Sequence, residues 1–192
     1  MRASGGGCQV SEGLSDSVTR HPSPDTVIVQ GNTLVFRAKT CRCAVGKGGF
    51  SANKKEGDGC TPLGVYRLRE CWYRADRTPK PETGLPLRII HKNDGWCDDP
   101  KSPVYNRHVT LPPAGGVSAE RLWHDDHVYD LIVPIGYNDA PAVPGRGSAI
   151  FLHVATPDYA PTEGCVALAE NDLLALLVHV HTGSSIEIRE TA

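Results

Sequence analysis

No run of apolar residues in this 192-residue chain approaches the roughly 18–20 that cross a bilayer, so no membrane-spanning helix is expected. Neither sign of charge dominates: 20 Lys and Arg stand against 22 Asp and Glu, a formal net charge of −2. A general nucleic-acid or anionic-membrane binder would carry a basic excess or stripe, and this chain has neither. The opening MRASGGGCQVSEGLSDSVTRHPSP lacks the apolar stretch of a secretory signal, and Cys8 lacks the hydrophobic segment of a lipoprotein signal. Internal repeats, interior linkers and long helical periodicity are missing too, which leaves one soluble globular domain as the expectation.

Hydrophobic residues make up 40% of the chain and charged ones 22%, enough apolar material for a core. The 20 glycines and 15 prolines exceed their usual shares, and such a surplus of turn residues points to many short strands. Seven cysteines is an odd number, so at least one thiol stays free unless it bonds another chain, and the pairing of the rest is open. Residues 1–25 read as a disordered tail and 26–192 as the folded domain. Val27-Ile28-Val29 and Thr33-Leu34-Val35-Phe36 flank Gln30-Gly31-Asn32 and predict a hairpin. Further strands are expected near 41–46, 62–69, 87–91, 107–111, 129–135, 148–154 and 185–189. One helix is expected over about 170–181, where Leu173, Leu177 and Val180 share a face before Gly183. The fold class is therefore mainly β with one C-terminal helix.

The chemistry concentrates in Ser148-Ala149-Ile150-Phe151-Leu152-His153-Val154 and Pro161-Thr162-Glu163-Gly164-Cys165-Val166-Ala167-Leu168. In an extended strand Ile150, Leu152 and Val154 share the core face. His153 then lies on the outer face at the strand's end. Gly164 lets a substrate approach the backbone beside Cys165, and a following helical region would aim N–H groups at a thiolate or an oxyanion. A thiol of pKa about 8.5 is a few per cent ionised at neutral pH. An imidazole in reach could take its proton and return it to a leaving amine.

This segment resembles the catalytic block of the L,D-transpeptidases, the YkuD-type domain. His153 matches the family's upstream His, and Thr162, Gly164 and Cys165 match its Ser/Thr-His-Gly-Cys turn. Thr61-Pro62-Leu63-Gly64, Cys43-Ala44-Val45-Gly46-Lys47, Tyr129-Asp130-Leu131-Ile132-Val133 and Asn138 resemble further family features over residues 33–189. The resemblance implies a YkuD-like β-sandwich or β-rich domain with its helix near the catalytic turn. It also implies Cys165 as nucleophile and His153 as acid and base, working without metal or organic cofactor. The substrate would be a peptidoglycan stem peptide, the inhibitors carbapenem-type β-lactams, and the location the cell envelope or periplasm, where that polymer lies. Attack by an amine would give a cross-link and attack by water an L,D-carboxypeptidase; a non-catalytic peptidoglycan-binding module is a further alternative. Two positions depart from the family: Glu163 replaces the turn's second His, and Ala167 stands where many members have Arg. A carboxylate at Glu163 would raise the thiol pKa, and Arg146 is the expected offsetting cation. Gly164, Thr162, Glu163, Arg146, Asn138 and Trp96 are the expected oxyanion and substrate contacts.

Other signals carry less. His124-Asp125-Asp126-His127, His179-Val180-His181 and Cys41-x-Cys43 invite a zinc hydrolase, yet the spacing fits no structural zinc pattern. Asp98 and Asp99 point apart in extended chain, and beside Trp96 and Cys97 they shape a loop walling the cleft. Gly46-Lys47-Gly48-Gly49 lacks the Ser/Thr and the strand-loop-helix context of a phosphate loop.

Overall fold

The computed structural model describes residues 25–190; Cys8 and, Asp25 excepted, the tail expected over 1–25 lie outside the described residues. The described residues open with the expected hairpin, β1 (Thr26–Gln30) against β2 (Thr33–Phe36), turned by Gly31 at a positive φ of 56°. β3 (Lys39–Ala44) continues the meander antiparallel to β2. β4 (Phe50–Ser51) and β5 (Thr61–Pro62) form a small parallel pair, and β6 (Gly64–Arg67), β7 (Cys71–Tyr73) and β8 (Leu87–Ile89) follow. β9 (Asp94–Cys97), β10 (His108–Thr110) and β11 (Ala119–Arg121) make a separate three-stranded sheet. The last strands are β12 (Leu131–Pro134), β13 (Phe151–Val154), β14 (Val166–Leu168) and β15 (Ser185–Arg189), with helix α1 (Glu170–Leu177) between the final two. The main sheet has ten strands in the order β6-β15-β1-β2-β3-β14-β13-β12-β7-β8. The architecture is mainly β with one helix.

Both faces of this sheet are covered, which corrects the outer-face placement expected for His153. Leu152, Val154, Val166 and Leu168 pack into the larger core with Leu173, Leu176 and Leu177 of α1. The opposite face carries a second cluster of Trp72, Leu122, Tyr129, Ile132, Phe151 and Cys165, with Trp96 of β9 packed on it. All four residues of β13 are buried as a result, His153 included. The alternation of a strand therefore separates two interiors here, one structural and one that holds the thiol.

The segment after Cys165 is likewise strand, not helix. Val166-Ala167-Leu168 pairs in parallel with β13 and antiparallel with β3, satisfying its backbone on both sides. α1 begins only at Glu170, where Glu170 and Asp172 put acidic side chains in the first turn. It stops at Leu177 because the next bonds tighten to i→i−3 and the Val180 carbonyl accepts the Gly84 N–H at 2.9 Å. Val180 remains buried, so the apolar spacing that suggested helix to 181 marks the core correctly and the helix end four residues late.

Candidate active site

A short turn carries Cys165. The Thr162 hydroxyl donates to the Cys165 carbonyl at 2.7 Å and accepts the Gly164 N–H at 3.1 Å. The turn is also fastened to the strand exit at Val45–Lys47: Thr162 N–H donates to the Val45 carbonyl at 3.0 Å, and Lys47 N–H donates to the Thr162 carbonyl at 2.8 Å. Gly164 has φ 132°, and a Cβ there would lie 2.7 Å from the Cys60 carbonyl oxygen. Gly164→Ala is expected to destabilise by at least about 2 kcal/mol through strain and overlap. In a chain of this size that lowers the melting temperature by roughly 4–8 °C, measurable by circular dichroism.

Register places the thiol and the imidazole on one face. β13 and β14 pair in parallel with Leu152 opposite Val166 and His153 opposite Ala167. Cys165 and His153 are therefore diagonal neighbours across one strand pair, a spacing of about 7–8 Å at Cα. The small Ala167 side chain stands directly opposite His153 on the same face. The thiol accepts the Phe151 N–H at 3.3 Å and donates to the Ala149 carbonyl at 3.2 Å. Nδ1 of His153 lies 2.9 Å from the Val154 carbonyl. A carbonyl can only accept, so Nδ1 carries the proton and Nε2 presents a lone pair. The Tyr129 ring stands edge-on to the imidazole at 5.3 Å and holds its plane.

Burial sets the charge state. Desolvation, then the Glu120 carboxylate, push the Cys165 thiol up to about 12, against smaller opposing effects of the Phe151 N–H and Lys54. Desolvation pushes His153 down to about 4, outweighing the Val154 and Val128 carbonyls. Both groups are neutral at pH 7, a thiol beside an imidazole rather than an ion pair.

Cys165 and His153 line one cavity of about 520 Å³, whose walls include Lys54, Glu56, Asp98 and Glu120. Thr162 and Glu163 line it too, but the Glu163 carboxylate turns outward to Lys47 at 2.6 Å, and both side chains are exposed. The carboxylate that acts on the thiol is Glu120, which accepts the Tyr129 hydroxyl at 2.6 Å; burial first, with Asp98 and Glu56 further down, raises its own pKa. Arg146 lies away from this cavity, in a depression shared with Asn138. The buried cation near Cys165 is Lys54, from a stretch whose sequence reads only as a turn. Asn138 bonds the Val143 and Gly147 carbonyls at 3.0 and 2.8 Å and so shapes its own loop. Trp96 lines a neighbouring cavity of about 460 Å³ with Ile150 and Phe151.

Sequence reasoning missed Asn106, which links these pieces. Its side chain accepts the Trp96 indole N–H at 2.8 Å and the Ala149 N–H at 3.1 Å, and donates to the Tyr137 and Asn138 carbonyls at 3.1 and 2.7 Å. Ala149 in turn offers the carbonyl that receives the thiol. Asn106 also sits at φ 56°, a conformation Asn tolerates better than Ala. Asn106→Ala leaves these half-buried partners without their bonds, and a loss of about 2 kcal/mol or more is expected from urea unfolding midpoints.

The histidines of the zinc reading are dispersed: His124 packs on Tyr129, His127 on Asp130 and His179 on Phe36. Among the described residues no group of three or more His, Cys, Asp or Glu side chains is arranged to hold a metal ion. The described cysteines, 41, 43, 60, 71, 97 and 165, are all free thiols.

Among solved structures the chain is similar to an L,D-transpeptidase from Mycobacterium smegmatis, at TM-score 0.42 and 10% identity over 85% of this chain and 58% of that one. It is similar also to L,D-transpeptidase 1 of Mycobacterium tuberculosis, at TM-score 0.37 and 13% identity over 85% and 59%. A third is an LD transpeptidase in complex with imipenem, at TM-score 0.39 and 12% identity over 85% and 58%. The chain thus spans less than two-thirds of the length of these relatives. No curated protein matches the sequence. The family model of the YkuD L,D-transpeptidase catalytic domain matches residues 20–188, and the chain belongs to that family.

Proposed function

We propose that residues 26–192 form a cysteine acyltransferase acting on peptidoglycan stem peptides in the cell envelope. The observation that carries this reading is the single cavity shared by Cys165 and a His153 whose Nδ1–H is anchored, leaving Nε2 as the base. Cys165 Sγ attacks the carbonyl joining the third stem residue to a terminal D-amino acid, and its proton passes to Nε2. We assign the oxyanion to the Cys165 N–H, because the Gly164 N–H is engaged by Thr162. One such donor is worth about 10²–10³ in rate. The imidazolium then protonates the departing amine, leaving a thioester on Cys165. Neutral His153 next takes a proton from the acceptor as it attacks the thioester, so thiol and imidazole return unchanged. An amine acceptor yields a cross-link and water yields a trimmed stem.

Incubation with a purified disaccharide tetrapeptide, followed by mass spectrometry, tests the reading. Released D-alanine with a cross-linked dimer marks transpeptidation; D-alanine with tripeptide alone marks the carboxypeptidase. Intact D-alanine-capped substrate, together with no covalent adduct after imipenem exposure, would overturn it in favour of a binding module.

A further inference from the structure

Lys54 is out of place for a lysine. Its side chain is 3% exposed, and its ammonium donates to Asp58 Oδ1 at 2.7 Å. An ammonium has three donors, and Asp58 takes one. The stem runs between two glycines in conformations that L side chains rarely adopt. A Cβ on Gly147 (φ 100°) would lie 2.8 Å from Lys54 Cε, and a Cβ on Gly164 (φ 132°) would lie 3.3 Å from Lys54 Nζ. The chain therefore omits two side chains along the channel that delivers this ammonium to the residue preceding Cys165. Taking the Lys54 ammonium out of water costs desolvation energy that a half-buried Asp58 only partly returns, and an apolar side chain of similar size often fills such a place without loss of stability. Stability alone does not account for the charge.

Its surroundings do. The other titratable groups lining the cavity are Glu56, Asp98, Glu120, Tyr129, His124 and His153, with Glu163 turned out to Lys47. Among the described residues lining it, Lys54 is the one Lys or Arg. A sulfur that becomes anionic there feels the Glu120 carboxylate, shares its cavity with Glu56 and Asp98, and has one lysine to oppose them.

We propose that Lys54 is a positioning residue for this reaction: its ammonium, threaded between Gly147 and Gly164, supplies the positive charge that supports Cys165 as its sulfur becomes anionic. The proton leaves Sγ for His153 Nε2. The assignment rests on the reading of Cys165 as nucleophile.

Iodoacetamide alkylation of the full chain from pH 7 to 9, resolved by peptide mass spectrometry, tests it in Lys54→Met. Removing the charge is expected to displace the log-rate against pH line for Cys165 by about one unit, a roughly tenfold slower reaction at each pH. Cys60, whose thiol contacts the Gly48 and Asp58 carbonyls, is expected to keep its rate. A merely structural role predicts the opposite sign, because a loosened loop exposes both thiols and speeds both reactions. An unchanged or faster Cys165 rate in Lys54→Met would overturn the proposal. Lys54→Gln removes the same charge and replaces the Met variant if that one melts below the assay temperature. Imipenem acylation of the wild type separates this result from the parent reading. Slowed alkylation without any wild-type adduct leaves the charge effect standing and rejects the acyl-enzyme; an adduct with unshifted alkylation does the reverse.

Discussion

Cys165→Ala is expected to abolish the imipenem adduct and to lower D-alanine release by at least about 10³-fold, the scale on which removal of a covalent nucleophile acts. The fold should survive, since the substitution removes one sulfur from an apolar cluster and adds nothing. Cys165→Ser should be as inactive, because a hydroxyl is harder still to ionise in this buried place. The measurement is intact-protein mass before and after imipenem, with the adduct mapped to a peptide and stem-peptide turnover followed in parallel. The informative competitor is Cys60, which is half-buried where Cys41, Cys43, Cys71 and Cys97 are buried. Among the described cysteines, accessibility alone would therefore favour Cys60. An adduct on Cys165 in preference to Cys60 means that the surrounding donors and base select the sulfur. An adduct on Cys60, or full turnover by Cys165→Ala, would sink the assignment.

That selection has to work against the local electrostatics. Desolvation and Glu120 both oppose a thiolate, and the exposed Glu163, held by Lys47, contributes little to either side. With the thiol pushed to about 12 and the imidazole to about 4, a preformed ion pair has no meaningful population. In the proposed reaction the proton therefore moves as the carbon–sulfur bond forms, when substrate would displace water and the developing oxyanion would be stabilised.

What the sequence discloses follows the range of the interactions involved. The β1–β2 hairpin is legible because alternation and the Gly31-Asn32 turn are local. His153 and Cys165 are legible as a pair because two short segments and one loop connect them. β14 and β7 are not: Val166-Ala167-Leu168 and Cys71-Trp72-Tyr73 are buried on both faces, so neither shows a period of two. The walls of the cavity are the least legible part. Glu120 arrives on a short strand of the second sheet, Asp98 on the loop after β9, and Lys54 from a run of turn residues. Their convergence depends on how the three-stranded sheet covers the Phe151 face, which no local pattern encodes. Arg146 and Trp96 are close to the cysteine segment in sequence or in character, yet their backbones carry them to neighbouring depressions.

His153→Gln removes the base and is expected to slow imipenem acylation by about 10²–10⁴-fold, the usual contribution of a positioned proton acceptor. The pH profile identifies the mechanism more sharply than the size of the loss. On the proposed mechanism wild-type His153 acts unprotonated, and burial holds its folded pKa near 4, so acylation is expected to stay level from pH 5 to 8. An inflection near 6.5 would instead mean a solvent-exposed imidazole, and the buried geometry would be wrong. The same burial couples the site to stability. The unfolded chain takes up a proton at this position near pH 6.5 and the folded chain only near 4. Between those values the unfolded state holds more protons, so the contribution of neutral His153 is complete above pH 6.5 and falls as the pH drops. Over that window the loss amounts to about 3 kcal/mol. Urea midpoints at pH 7 and pH 4.5 should therefore converge in His153→Gln relative to the wild type, whose midpoint falls with acid. Equal acid sensitivity in the two proteins would show that another buried group carries the effect, and that His153 meets water before any substrate arrives.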